Sequence, residues 1–285
     1  MDIKGFQLGL RGHDIADTFS DMCTLANENN VTNLQFALAK TVSDINFDEV
    51  GYDADLSKKI KTELDEHKLS VSVLGCYINP IAENIDVQKS QLKRFENFID
   101  YAKDFEATVI GTETGVLVCA DNPHKVDIER THSEEVYQLF LNNLRPLVEK
   151  AERLGVTVGI EPVWECPICT PKVMKRLLDD INSDNMLAIL DISNMINLDN
   201  YKKQREMIDE AFDLFGEKIR VIHLKDFTIS EENGKKFAAA GTGALEIEHM
   251  FTRIDALKNK PEIILDGLPL DMYKETVERL KNIIK

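Results

Sequence analysis

The sequence predicts an α/β protein built as a single-domain (β/α)8 TIM barrel, on three observations. Short apolar runs rich in β-branched residues alternate with segments of helical periodicity roughly eight times along the 285 residues. No Gly-, Ser- or Pro-rich linker separates them. Four successive strand candidates in the second half each end in a residue able to bind a divalent cation. Alternating strands and helices imply a parallel sheet, and eight units in one domain-sized chain imply closure, with all strand C-termini at one mouth. A doubly wound open sheet is the rival. It would normally carry a Gly-rich phosphate turn after its first strand, which Gly9-Leu-Arg-Gly12 does not supply.

In chain order, Gly5–Arg11 reads as the first strand and Ile15–Glu28 as a helix. Asn33–Ala37 is the second strand, and Leu56, Ile60 and Leu64 give the segment Leu56–His67 helical spacing. Leu69–Gly75 is the third strand, running towards Tyr77 and Asn79. Gln88–Phe105 is a helix with Leu92, Phe95, Phe98, Ile99 and Ala102 on one face. Thr108–Thr112 is the fourth strand, and Ser133–Leu154 a long helix whose Ser-Glu-Glu start suits a capped N-terminus. The fifth strand, from Val156, stops at Glu161, because Pro162 keeps that residue out of the helical region. Helices follow at Pro171–Ile181, Lys202–Phe215, Glu246–Ala256 and Met272–Ile284, separated by strands at Met186–Leu190, Ile219–Ile222 and Glu262–Leu265. Two loops are longer than a barrel needs, 115–132 and 228–245. Both leave from the expected mouth, where long loops usually carry substrate contacts or act as lids.

Composition narrows the partners. Lys and Arg total 34 against 50 Asp and Glu, a formal charge of −16, which disfavours nucleic acid or an acidic membrane surface as a partner. A local basic site for one phosphate stays open. The N-terminus lacks a basic segment leading into an apolar one, and no run reaches membrane-spanning length. Five cysteines form no disulfide framework, so a cytoplasmic location is expected.

Glu161, Asp191, His223 and Asp266 end consecutive strands and are 30, 32 and 43 residues apart, each about one β/α unit, the last enlarged by the 228–245 loop. In a barrel they converge on one rim. Three carboxylates and an imidazole suit Mn²⁺, Mg²⁺, Co²⁺ or Zn²⁺ with positions open to substrate. Without a cation the carboxylates would repel and at least one pKa would rise. Taken singly, each residue has a plainer reading: His223 as a core histidine, Asp191 as a helix cap, Asp266-Gly267 as a turn. Their recurrence on four strands favours a shared site.

Ile160-Glu161-Pro162, Leu190-Asp191-Ile-Ser-Asn194, Val221-Ile-His223-Leu-Lys225-Asp226-Phe and the Gly241-Thr-Gly243-Ala-Leu245 turn resemble the xylose isomerase-like TIM-barrel superfamily of sugar phosphate isomerases and epimerases. The likeness spans essentially the whole chain. It implies a metal held by Glu161, Asp191, His223 and Asp266, a small sugar or sugar phosphate as substrate, and a barrel of a kind that often pairs into a homo-oligomer. Two positions depart from the family pattern. Asp266 stands where Glu is common and is one methylene shorter, and Asn194 stands where epimerase-like members commonly carry His. Endonuclease IV, in the same superfamily, uses a histidine-rich trinuclear zinc site; of the six histidines here only His223 clearly ends a strand, which argues against that activity.

The expected chemistry is removal of a carbon-bound proton next to a carbonyl, with Glu161 and Asp266 as base and acid on opposite sides of the metal. Epimerisation, aldose–ketose isomerisation and dehydration all remain open, as do a hydrolase on the same metal platform and a degenerate barrel that binds a carbohydrate without turnover. Gln35, Tyr77 and Asn79 are candidates for sugar hydroxyls, with packing or turn formation as the plainer reading. Glu113 reads equally as a substrate ligand or a loop-stabilising carboxylate. Trp164 suits a sugar face or packing under its loop. Asn194 can hold a hydroxyl. Lys225, near the same rim as Arg11, suits an anionic substrate or the developing enediolate, with Asp226 as an alternative ion-pair partner. Cys166-Pro-Ile-Cys169 lacks the second pair or thioredoxin-like context that a zinc or redox site needs. Gly241 and Gly243 read as a phosphate-binding turn or a flexible loop.

Overall fold

Eight parallel strands close into a ring: β1 (Phe6–Arg11), β2 (Asn33–Phe36), β3 (Ser70–Gly75), β4 (Val109–Thr112), β5 (Val158–Ile160), β6 (Met186–Leu190), β7 (Ile219–Leu224) and β8 (Glu262–Leu265). Each pairs with its sequence neighbour and β8 pairs with β1, so the expected single-domain barrel is present. The structure is a computed structural model that describes residues 2–3, 5–42 and 45–284.

The helical layer comprises α1 (Phe19–Glu28), α2 (Ala54–Glu66), α3 (Ile85–Asp104), α4 (Glu134–Leu154), α5 (Pro171–Ile181), α6 (Gln204–Phe215), α7 (Ile247–Ala256) and α8 (Tyr273–Ile283). Local chemistry fixes where several of them start. Thr18, Asp53, Asn84, Ser133 and Thr170 each turn a side-chain oxygen onto amides of the first turn. Thr18 explains why the helix expected from Ile15 is two pieces. The chain makes one turn at Gly12–Ile15, breaks, and restarts at Phe19.

The two long loops carry structure of their own. Within 115–132, Val118–Cys119 pairs antiparallel with Asn122–Val126. Within 228–245, the second strand of a hairpin, Gly234–Ala238, pairs with Asp226–Ser230. Asn122–Val126 is largely exposed and Gly234–Ala238 half-buried to exposed, so neither carries a buried alternation that a reading of the sequence can detect.

The barrel interior holds a closed apolar cluster of Val73, Val109, Ile189, Val221 and Ile264, all fully buried. Glycines make room for it. A Cβ at Gly111 would come within 2.6 Å of Val73 Cγ1, and one at Gly159 within 2.9 Å of both Ile189 and Val109. Side chains two residues apart on a strand share a face. Gly9, Gly111, Gly159, Ile189, Val221 and Ile264 meet the barrel interior, so Arg11, Glu113, Glu161, Asp191, His223 and Asp266 rise above it towards the mouth.

Candidate active site

The mouth encloses a cavity of about 280 Å³ lined by Gln35, Tyr77, Glu113, Glu161, Asn194, His223, Lys225 and Asp266. Asp191 lies just beneath, with no accessible surface. The structure therefore gathers ten of the residues singled out in the sequence, Arg11 among them, and adds His13 and Lys40 to the same wall. Arg11 follows the strand alternation. His13 and Lys40 sit in short turns after β1 and β2, which carry no periodic signal.

Asn79 and Trp164 are not among the side chains lining this cavity. Asn79 is built into the loops: its amide NH₂ donates to the Val116 carbonyl at 2.8 Å, and its Oδ1 accepts from the Ile81 amide at 3.3 Å. The Trp164 backbone bridges Asn194 and His132. Both fit the plainer readings of turn formation and packing under a loop.

Glu161, Asp191 and His223 form the tightest group, with one donor atom from each within 4.8 Å of the others. Glu161 Oε1 accepts from the Asn194 amide at 2.7 Å, and its Oε2 lies 3.2 Å from His223 Nδ1. Asn194 thus orients the carboxylate from the position where a proton-trading His was the family expectation. Asp191 caps the turn after β6, its Oδ1 accepting from the Asn194 backbone at 3.1 Å. Its Oδ2 lies 3.2 Å from Lys225 Nζ, close enough for ion pairing but without a hydrogen bond. Asp191 Oδ2 and His223 Nε2 are therefore buried donor atoms with no hydrogen-bond partner, a combination that fits a divalent cation.

Asp266 does not join that group. Its Oδ1 lies 2.8 Å from Arg11 Nη1 and its Oδ2 accepts from Lys225 Nζ at 2.6 Å. Arg11 is itself held by Asp14, through Nε at 2.6 Å and Nη2 at 2.9 Å. Lys225 accordingly pairs with Asp191 and Asp266, and the alternative of Asp226 falls away. Asp226 has other work. Its carboxylate accepts the amides of Gly241, Gly243 and Leu245 at 3.0, 2.8 and 2.8 Å. The glycine turn is therefore neither a phosphate cradle nor a loose loop, because its amides are spent on a buried carboxylate. A Cβ at Gly243 would lie 2.3 Å from the Phe227 carbonyl, so the turn closes only with glycine there.

These contacts separate the carboxyls electrostatically. Burial opposes charge at Asp266, but Lys225, His223 and Arg11 outweigh it and hold the group down at about 2. Burial, opposed by Lys225 and reinforced by Glu161 and Asp266, pushes Asp191 up to about 6. Burial and then the charge of Glu161 push Glu113 up to about 7. Burial disfavours the imidazolium of His223, yet Glu161 above all raises it. Burial likewise opposes the charge of Lys225, and Asp191 and Asp266 more than restore it. Gln35 Nε2 donates to the Tyr77 hydroxyl at 2.6 Å, leaving Gln35 Oε1 buried and unpartnered beside the cavity. Phe237, on the hairpin after β7, covers Lys225 with its ring centre 4.3 Å from the ammonium.

Comparisons with known proteins agree with this architecture. The chain matches a D-tagatose 3-epimerase-like protein at 15% identity and TM-score 0.75, over 98% of this chain and 97% of the other. It matches a probable 3-DHS dehydratase from Bacillus anthracis at 16% and 0.72, over 97% and 99%. It matches a xylose isomerase-like TIM barrel protein from Mycobacterium smegmatis, in complex with magnesium, at 12% and 0.69, over the full length of both. At such identities the likeness is one of fold. No curated protein matches. The family described as xylose isomerase-like TIM barrel matches residues 35–283, nearly the whole chain, and the protein belongs to that family.

Proposed function

We propose that the protein is a divalent-metal-dependent isomerase or epimerase of a small sugar or sugar phosphate, working in the cytoplasm. The observation that carries this reading is the convergence of Glu161, Asp191 and His223 with two buried ligand atoms that make no hydrogen bond, at the floor of a sugar-sized cavity. These three would hold the ion, and Mn²⁺, Mg²⁺, Co²⁺ or Zn²⁺ all suit the set. Bound there, the ion would supply Lewis-acid polarisation of a substrate carbonyl. The magnesium complex of the mycobacterial barrel supports the choice of a divalent ion.

The chain's own groups divide the proton work. Asp266, held ionised by Arg11 and Lys225, can take a proton from the carbon beside the carbonyl, the bonding pair moving into the carbonyl to leave an enediolate. Asp266 keeps no proton of its own at neutral pH, so it suits the base and not the acid of the expected pair. Glu161 is then the group that delivers a proton to the enediolate, while the proton taken up by Asp266 leaves to solvent. Glu113, titrating near 7 beside it, serves as the reservoir. Lys225 lies where it can neutralise developing negative charge on oxygen. Gln35 Oε1 and Asn194 can orient hydroxyls.

Return to the opposite face of the same carbon gives an epimer, and return to the neighbouring carbon gives the aldose. Loss of hydroxide in place of reprotonation gives dehydration; the structural likeness to a probable dehydratase supports that second reading. Incubation of the Mn²⁺-loaded enzyme with a panel of ketoses in D₂O tests the proposal. Deuterium at the carbon beside the carbonyl, lost in Asp266→Asn, is the expected result. Net dehydration without exchange favours the lyase, and inertness to every ketose contradicts both.

A further inference from the structure

Strand order gives the mouth a polarity. In an eight-membered ring, β1 lies opposite β5 and β2 opposite β6. Glu161 and Asp191 end β5 and β6, while His13 and Lys40 follow β1 and β2. Glu161 and Asp191 and this pair of basic side chains therefore face each other across the mouth, and His13 and Lys40 both line the cavity.

The basic wall has unused capacity. Arg11 is committed to Asp14 and Asp266, and Lys225 to Asp191 and Asp266. Among the described residues, Lys40 has no carboxylate within ion-pair distance, although the chain is strongly acidic. His13 Nδ1 is buried without a hydrogen-bond partner. Burial, and then the charges of Arg11 and Lys40, outweigh Asp14 and Asp266 and hold the His13 imidazole below its ordinary range. A cavity of about 280 Å³ is at the small end for a ligand site and suits one monosaccharide chain.

We propose that the end of the substrate remote from the reacting carbons carries an oxyanion, a carboxylate or a phosphate, bound by Lys40 and His13. The inference rests on the sugar-enzyme reading and narrows its substrate class from sugars in general to acidic ones. With the reacting end at Glu161 and His223, the anionic end reaches the opposite wall, where Lys40 supplies charge and His13 a hydrogen bond.

D-fructose, D-fructuronate and D-fructose 6-phosphate differ only at carbon 6 and make a matched set of probes. Calorimetric titration of the full-length protein with each is expected to give roughly twofold to fivefold tightening for at least one acid over fructose, the worth of one exposed charge pair. Which acid binds tighter tells carboxylate from phosphate. The acid-to-neutral ratio should fall towards one in Lys40→Met, and also in His13→Gln. It should fall in added salt as well, since screening weakens only the charged contact. Equal binding of all three, binding of none, or a ratio unmoved by both substitutions overturns the proposal. Lys40 is exposed, so its variant does not threaten the fold. Deuterium exchange into neutral ketoses keeps the two readings apart. Exchange without acid preference removes only the anionic subsite, whereas acid preference without exchange removes only the isomerase reading.

Discussion

Lys225 is the residue on which the site's electrostatics turn. It lies 2.6 Å from Asp266 and 3.2 Å from Asp191, and its side chain is 11% exposed. Removing one partner from a buried ion pair costs ~3–5 kcal/mol, because the carboxylates are left without compensation. Lys225→Met should therefore lower the melting temperature of the metal-free protein, and added Mn²⁺ should recover much of the loss by neutralising Asp191. A variant as stable as wild type without metal would contradict the pairing. Glu113 gives a pH signature. Its folded pKa is raised above the unfolded value, so its contribution to stability is fully present below about 4.5 and is lost as pH rises through about 7. A shift of that size corresponds to roughly 3 kcal/mol. Glu113→Gln should flatten the fall in melting temperature between those two values, and an unchanged pH profile would contradict the raised pKa of Glu113.

At the scale of elements, strand register and loop anchoring place the chemistry. Gly111 and Gly159 admit Val73, Val109 and Ile189 into the barrel centre, so an added methyl must displace packed side chains. Gly159→Ala should destabilise by ~1–3 kcal/mol, measured by urea denaturation, because overpacking a dense interior forces side chains off their rotamers. The hairpin after β7 is tied down at its base by Asp226. Asp226→Ala would free four amides at once, three of them in the glycine turn, and limited proteolysis should then cut within 228–245 much faster than in wild type. Equal cutting rates would show that the turn is held by other means.

These elements also mark how far the sequence could be read. Strands ending in Glu161, Asp191, His223 and Asp266 were legible because buried β-branched runs stop at polar residues. The glycine turn's purpose was not, since it depends on a carboxylate 15 to 19 residues earlier in the chain. Lys225's true partners were hidden for the same reason: Asp226 is its neighbour in sequence, while Asp191 and Asp266 are its neighbours in space. Asn79 looked like a sugar ligand because it follows a strand. Its hydrogen bonds to loop backbone could come only from the fold.

For the whole molecule, the barrel sets one polar mouth above an apolar plug, with Glu161 and Asp191 on one arc and His13 and Lys40 on the opposite arc. The gathering of Glu161, Asp191, His223 and Asp266 at one mouth follows from strand order and period-2 alternation, which is why it could be anticipated, whereas the lining by His13 and Lys40 depends on short turns. Among the described residues no helix is long and apolar enough to cross a membrane. The central claim is that Glu161, Asp191 and His223 share one divalent ion. Calorimetric titration of Mn²⁺ into wild type and Asp191→Asn tests it most directly. The account predicts one ion per chain in wild type and a loss of affinity of about 100-fold or more in the variant, since a ligand and its buried charge are removed together. Equal affinity in both proteins, or no binding in wild type, would contradict it.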